Sequence, residues 1–140
     1  MASPENSTFL ANLIRVYFGS LAGFEKYTNL HLGRWRLLHL MQENGVCSPS
    51  TLAKTSNVDP AAVTRILRDF ERDGVISRTA SANDRRQVHV ELTRSGRKLV
   101  ADLLQKRASF LKAALAGLSD EEIDTLQALL VHVQENLKRI

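Results

Sequence analysis

A row of side chains at helical spacing is the feature of this sequence most able to do chemistry. Its members recur every three or four residues and so share one face of an α-helix: Ala61, Arg65, Arg68 and Arg72. Guanidinium groups bind phosphates and base edges, and a small residue lets the backbone approach a groove. The face therefore predicts a helix that enters the major groove of double-stranded DNA. The alternative is a solvated face whose arginines pair with Asp69 and Glu71.

The segment that carries this row is marked as a helix at both ends. Asp59 is a good N-cap, Pro60 suits the first helical position, and Gly74 provides the stop. The opposite face is apolar and should pack on a core: Val63, Ile66, Leu67 and Phe70. A shorter helix capped by Ser48 precedes it, and residues 56–58 make a tight connection. This order predicts a helix-turn-helix.

Two short β-like runs follow the second helix, at residues 75–79 and 87–92. The second run alternates apolar and polar residues, as a half-buried strand does. The loop between them, residues 80–86, is small and polar, with an acidic and basic tip. The runs and the loop predict a two-stranded wing, so we expect the whole segment to form a winged helix-turn-helix that binds DNA.

The sequence resembles the MarR family of bacterial transcriptional regulators over nearly its whole length. The motifs that carry the resemblance are, in chain order, Trp35-Arg36-Leu37-Leu38, Val63-Thr64-Arg65, Phe70-Glu71-Arg72-Asp73-Gly74-Val75-Ile76, Asp84-Arg85-Arg86, Leu92-Thr93 and Gly96. The resemblance implies that Arg86 at the wing tip enters a minor groove and that Asp84 holds it by an ion pair. It also implies that the N-terminal half of the helix from Pro60 to Arg72 reads the major groove.

On this basis the expected DNA contacts lie on both helices of the motif and on the wing. They are Ser50, Pro60, Ala61, Ala62, Thr64, Arg65, Arg68, Arg85 and Arg86. One departure from the family pattern affects specificity. Many members carry Ser-Thr where this chain has Ala61-Ala62, so two hydroxyl contacts are absent and the operator sequence cannot be transferred from relatives.

Length and composition indicate a single domain over residues 1–140. With 44% hydrophobic residues the chain can bury a substantial core. It has no run of about 18 apolar residues that would span a membrane. Residues 1–8 lack the pattern of a signal peptide, so a cytoplasmic location is expected.

The formal net charge of the chain is +4. Residues 48–97 hold nine basic and six acidic groups, so most of the excess positive charge lies in the segment predicted to bind DNA phosphates.

Long apolar helices are predicted on both sides of the DNA-binding lobe at residues 32–92. They cover residues 7–29 and 94–140, and their apolar faces are wider than a small winged helix needs. The faces predict a homodimer in which these helices interleave, which would let two recognition helices read a pseudo-palindromic operator. An intramolecular bundle is the alternative. The predicted fold class is mainly α (α+β).

The C-terminal part of the chain should divide into two helices. The first runs from about 94 to 116, is closed by Gly117, and has a coiled-coil-like seam that Arg107 interrupts. Ser119 and Glu122 have the spacing of a capping box, which predicts the start of the second helix.

The resemblance also implies a pocket between the dimerisation helices and the DNA-binding lobe, where many family members bind small aromatic acids or phenols. The side chains that could supply an aromatic wall and a cationic or hydrogen-bonding group are Tyr17, Phe24, Tyr27, Trp35, Arg36 and His39. Core packing is the alternative for Trp35, and Arg36 could instead hold an acidic side chain. A small aromatic acid is the expected effector.

The remaining candidates give no catalytic or metal site. No two of the four histidines are spaced i, i+3 or i, i+4, and Cys47 is the only cysteine. The sequence has no phosphate-binding glycine loop, nucleophile elbow or HExxH motif. It predicts no enzyme, no cofactor and no metal, but a ligand-responsive DNA-binding repressor. Two alternatives stay open: a winged-helix protein-interaction module without DNA binding, and a redox sensor that uses Cys47.

Overall fold

The structure, a computed structural model, describes residues 7–81, 83 and 86–140. Within those residues the chain forms six helices and a two-stranded antiparallel sheet. The elements are, in chain order, α1 (Ser7–Thr28), α2 (Leu32–Asn44), α3 (Pro49–Ser56), α4 (Pro60–Arg72), β1 (Ile76–Ala80), β2 (Val88–Leu92), α5 (Arg94–Ala114) and α6 (Asp120–Leu137). This architecture confirms the predicted mainly α fold, with a winged helix-turn-helix between long terminal helices.

The starts of three helices are fixed by side chains that the sequence singles out. The hydroxyl oxygen of Ser48 accepts a hydrogen bond at 3.2 Å from the backbone N–H three residues later. A carboxylate oxygen of Asp59 accepts one at 3.1 Å in the same way. Before α6, Ser119 and Glu122 form the predicted capping box. These bonds satisfy donors that a helix start leaves open, so α3, α4 and α6 begin where the sequence predicts.

The helix α5 ends at Ala114, slightly before the predicted bound of about 116. The chain tightens there, because the N–H of Leu118 donates to the carbonyl of Leu115 at 3.2 Å. Gly117 within this turn has φ +88°, a left-handed conformation that suits glycine. The turn, rather than the apolar seam, therefore sets the end of the helix.

The strands β1 and β2 pair antiparallel along their whole length. β1 begins one residue later than the predicted run at 75–79, because the N–H of Val75 donates to the Phe70 carbonyl at 2.8 Å in the turn after α4. Cys47 exchanges two backbone hydrogen bonds with Val90 on β2, at 3.0 and 2.8 Å. This bridge attaches the segment before α3 to the wing.

The buried core lies in the lobe formed by α2, α3, α4, the sheet and the first half of α5, and Phe24 of α1 belongs to it as well. All four α4 residues predicted to face inward are buried. On α2 both Leu37 and Leu38 are fully buried, although they are neighbours in the chain. The reason is that α2 packs against α3, β2 and α5 at once, so it buries a wider stripe than one helical face.

The terminal helices leave large apolar surfaces uncovered. α1 packs along α5, and no residue of α6 is buried. The large exposed apolar side chains on these two helices are Phe9, Leu10, Ile14, Val16, Tyr17, Phe18, Tyr27, Leu126, Leu129, Leu130, Val131 and Leu137. None of the helices in the described part of the chain has both the length and the apolar composition to cross a bilayer.

Candidate nucleic-acid interface and cavity

The α4 row, which is Ala61, Arg65, Arg68 and Arg72, faces solvent, and all four residues are exposed. Pro60 and Thr64 are exposed as well, and Ala62 is half-buried. The Thr64 hydroxyl donates to the Pro60 carbonyl at 3.1 Å, so its proton is used inside the helix. Six of the predicted DNA contacts thus lie on one helix. Ser50, also exposed, lies near the start of α3.

Acidic neighbours engage only part of the α4 row. Arg72 lies 3.3 Å from Asp69 and 3.3 Å from Asp73. Neither Arg65 nor Arg68 makes a salt bridge with any described residue. The alternative of a solvated face whose arginines pair with neighbouring carboxylates therefore applies to Arg72. It does not apply to Arg65 and Arg68, which lie nearer the start of the helix.

Asp69 on α4 is held by an arginine on α2. Nη2 of Arg34 donates to the Asp69 carboxylate at 2.6 Å, and the same guanidinium lies 5.8 Å from the ring centroid of Phe70. The hydrogen bond from Arg34 is the main reason that the pKa of Asp69 lies below its ordinary value. This contact fixes α4 against α2. Sequence reasoning missed Arg34, because the two partners are 35 residues apart.

Replacing Asp69 with asparagine should lower the free energy of unfolding at neutral pH and change it little in strong acid. The folded carboxyl has a depressed pKa, so its contribution is present above the ordinary pKa of 3.8 and is lost as the pH falls through the folded value. Urea unfolding at pH 7 and at pH 2, followed by circular dichroism, measures the difference. Asp73→Asn is the control at pH 7 and should cost less stability, because the ion pair of Asp73 with Arg72 is exposed. Equal losses for Asp69→Asn at both pH values would contradict the contact.

The wing carries the remaining predicted DNA contacts. Arg86 is exposed. Asp84 and Arg85 lie outside the described residues, so the expected ion pair between Asp84 and Arg86 stays a prediction. At the base of the wing, Nε of Arg78 on β1 donates to a carboxylate oxygen of Glu71 on α4 at 2.6 Å. This bond attaches the wing to the C-terminal end of α4.

A cavity of about 240 Å³, the α2–α5 cavity, opens between those two helices. Its lining residues are Trp35, Arg36, His39, Leu40 and Arg107. Three of the predicted effector contacts therefore meet in one place. Arg107 was not among them, although its interruption of an apolar seam was a signal that a charged group is needed there.

The other predicted effector residues lie away from the α2–α5 cavity. Tyr17 is 59% exposed on α1. Phe24 is buried, with its ring centroid 6.1 Å from that of Trp35 and 6.1 Å from that of Phe110. The ring of Tyr27 packs on Phe110 as well, at 5.7 Å. Trp35 thus has core packing on one side and the cavity on the other.

Cys47 is a buried thiol. Burial raises the pKa of this thiol, which lowers the fraction of the reactive thiolate. Its Sγ lies 4.0 Å from the carbonyl oxygen of Val90, within the bridge to β2. This environment does not favour redox sensing. Among the residues that the structure describes, no group of three His, Cys, Asp or Glu side chains could hold a metal ion.

The helix-turn-helix, the exposed α4 row and the wing define a winged-helix protein of the DNA-binding type. A sequence model of the MarR family matches residues 30–88. YdgJ, an uncharacterized HTH-type transcriptional regulator of Bacillus subtilis (strain 168), is 35% identical over 117 residues, which cover 84% of this chain and 71% of YdgJ. The chain belongs to the MarR family of transcriptional regulators.

Two further similarities agree with this assignment. YetL, an HTH-type transcriptional repressor of Bacillus subtilis (strain 168), is 34% identical over 107 residues, which cover 75% of this chain and 64% of YetL. A crystal structure of a mutant MarR from E. coli, complexed with operator DNA, matches with a TM-score of 0.79 at 26% identity and covers 89% of this chain and 92% of that one. Proteins of this family are regulators and not enzymes.

Proposed function

We propose that this chain represses transcription by binding a pseudo-palindromic DNA operator as a homodimer. The observation that carries the proposal is the exposed α4 row, in which Arg65 and Arg68 have no salt-bridge partner among the described residues. A guanidinium that is not held in a salt bridge is available to base edges and phosphates. The operator complex of the similar MarR and the repressor name of YetL support the same function.

In this proposal the N-terminal half of α4 enters the major groove. Pro60, Ala61 and Ala62 present small side chains, which let the backbone come close to the bases. Arg65 lies one turn after Ala61 and reaches a base edge, where guanine is the usual partner of arginine. Arg68 lies further along the same exposed face and binds phosphate.

The other proposed contacts surround this helix. Ser50 on α3 and Thr64 on α4 contact the DNA backbone and fix the register of the protein. On the wing, Arg86 enters the adjacent minor groove, Asp84 orients it, and Arg85 lies at the phosphates.

A second copy of the chain is the proposed cover for the exposed apolar faces of α1 and α6. Phe18 on α1 is 62% exposed and Leu129 on α6 is 60% exposed. Large exposed apolar patches mark interaction sites in soluble proteins. Two-fold symmetry would then set the two α4 helices on successive major grooves, about 34 to 36 Å apart.

A charge placed on the apolar face of α6 should produce monomers. Leu130 is 48% exposed and shares a groove with Leu13 and Val133. Leu130→Glu would bury an unpaired carboxylate in the dimer, which is strongly unfavourable. Analytical ultracentrifugation at micromolar concentration should show monomers for this variant and dimers for the wild type. His132→Glu adds the same charge on the opposite side of α6 and should stay dimeric; a monomeric wild type would contradict the proposal.

The proposed effector is a small aromatic acid in the α2–α5 cavity. Trp35 supplies an aromatic wall, Arg36 supplies positive charge, and His39 supplies a hydrogen-bonding group. Phe24 packs against Trp35 from the core side. Tyr17 would contact the effector if dimerisation brings α1 of one copy to the α2–α5 cavity of the other. The bound acid would favour a spacing of the two α4 helices that does not fit successive grooves, and so release DNA.

Substitution of Arg86 tests DNA binding against the alternative of a protein-interaction module. A groove-inserted arginine should contribute about 1 to 3 kcal/mol to DNA affinity, so Arg86→Ala should weaken binding by that amount. Fluorescence anisotropy with a duplex selected by the protein from a randomised pool measures the change. A protein-interaction module that does not bind DNA would select no duplex from the pool. Its weak, non-specific DNA affinity would then be the same for Arg86→Ala and the wild type.

A further inference from the structure

The guanidinium of Arg36 contacts two functional parts of the protein. It lines the α2–α5 cavity together with Arg107. Its Nε also donates a hydrogen bond of 2.8 Å to the backbone carbonyl of Ser56, the last residue of α3. One planar group therefore joins the proposed effector site to the helix-turn-helix.

The carbonyl of Ser56 needs this donor. In a continuing helix it would accept from the N–H four residues later, but that residue is Pro60, which has no N–H. Ser56 is 1% exposed, so water has little access to replace the missing donor. The Ser56 hydroxyl oxygen accepts from the N–H of Val58 at 3.1 Å, and Asn57 between them is left-handed with φ +56°. Arg36 thus completes the hydrogen bonding of the turn that sets α3 against α4.

The chemistry of the cavity favours an anion. Two of its five lining residues are arginines and none is acidic. Trp35 and Leu40 supply apolar surface. Of the lining residues, His39 makes the one ion-pair contact with an acidic side chain of the described chain, since its Nδ1 lies 3.6 Å from a carboxylate oxygen of Glu43. An aromatic carboxylate would meet both arginines and the indole ring.

We propose that Arg36 transmits effector binding to the helix-turn-helix, whereas Arg107 only anchors the effector. The Nε that bonds Ser56 belongs to the same rigid, planar group that lines the cavity. A bound acid that pulls this group into the cavity displaces Nε from the Ser56 carbonyl. Displacement leaves a buried carbonyl without a donor and loosens the turn before α4. This inference rests on the proposed effector function and adds the residue through which that effector acts.

A pair of matched variants separates the two roles. Arg36→Lys and Arg107→Lys both keep the charge and lose the guanidinium. The probes are benzoate, 2-hydroxybenzoate and 4-hydroxybenzoate, and Trp35, the only tryptophan, reports their binding by its fluorescence. DNA affinity is measured by anisotropy with and without saturating probe, using the duplex that the wild-type protein selects from a randomised pool.

In the wild type we expect a bound probe to weaken DNA binding by about 5- to 150-fold, the usual range of coupling between sites. Arg107→Lys should bind the probe more weakly but release DNA to the same extent at saturation. Arg36→Lys should bind DNA weakly even without probe, and saturating probe should change that affinity by less than about twofold. Release from Arg36→Lys at the wild-type ratio would overturn the inference and leave the effector proposal standing.

A measurement without any ligand checks the other half of the inference. Amide hydrogen exchange over residues 49–59 should be faster in Arg36→Lys than in Arg107→Lys, because only Arg36 bonds the turn. Equal exchange in the two variants would overturn the role of Arg36 in the turn. If none of the probes binds the wild type, both the coupling through Arg36 and the proposed aromatic-acid effector are contradicted. The DNA-binding function is tested separately by the affinities measured in the same titrations.

Discussion

Replacing Gly96 with alanine should lower the free energy of unfolding by about 3 kcal/mol or more, at the upper end of overpacking effects. A Cβ built at this position would clash with the carbonyl oxygen of Val75 and would lie 3.2 Å from Cδ2 of Leu92. The first of these contacts is with backbone, so no side-chain rotation relieves it.

The surrounding hydrogen bonds prevent an easy shift of that backbone. The Val75 carbonyl accepts from the N–H of Thr93 at 3.0 Å, and the Thr93 hydroxyl oxygen lies 3.1 Å from the same carbonyl oxygen. The same hydroxyl donates to the Gly74 carbonyl at 2.6 Å and accepts from the N–H of Gly96 at 3.1 Å. Moving Val75 away would break the junction of α4, the wing and α5.

Urea unfolding followed by circular dichroism measures the effect at Gly96. Ser95→Ala is the control, because Ser95 is exposed in the same turn of α5 and its replacement should change stability by less than about 0.5 kcal/mol. A Gly96→Ala protein as stable as the control would contradict the close approach of α5 to the turn after α4.

Arg65→Ala should produce the largest loss of specific DNA binding among single substitutions of the α4 row. Arg65 is exposed, has no salt bridge with a described residue, and lies one turn beyond Ala61 at the start of the helix. Loss of a bidentate contact to a base costs about 1 to 3 kcal/mol, and a dimer would lose it at both half-sites. Discrimination between the selected duplex and a scrambled one should fall as well.

Arg72→Ala provides the comparison on the same face. Its guanidinium already pairs with Asp69 and Asp73, so its removal should cost less affinity and should affect both duplexes alike. Anisotropy titrations of the two variants against both duplexes make the test. A loss at Arg65 that is equal for the selected and scrambled duplexes would mean that Arg65 binds phosphate and does not read a base.

The sequence predicted those parts of the fold whose causes are local. Asp59 and Pro60 mark the start of α4 because cap and first turn are neighbours in the chain, and Ser119 with Glu122 marks α6 for the same reason. The α4 row follows from helical periodicity alone, so its exposure was predictable before its surroundings were known.

The contacts that join distant segments could not be predicted in this way. The bond between Arg34 and Asp69 spans 35 residues, and that between Arg36 and Ser56 spans 20. No spacing rule relates such partners, because helix packing alone brings them together. Arg107 is intermediate: its charge within an apolar seam was visible, but its place in the α2–α5 cavity depends on how α5 crosses α2.

The most direct test of the central claim is the salt dependence of DNA binding by the wild-type chain. Fluorescence anisotropy between low and physiological salt would compare a duplex selected from a randomised pool with a scrambled duplex of the same composition. We predict tight binding to the selected duplex, weakening steeply as salt rises because phosphate contacts release counterions, with clear preference over the scrambled duplex. Weak binding that is equal for both duplexes, with no sequence enriched by the selection, would contradict a specific DNA-binding regulator.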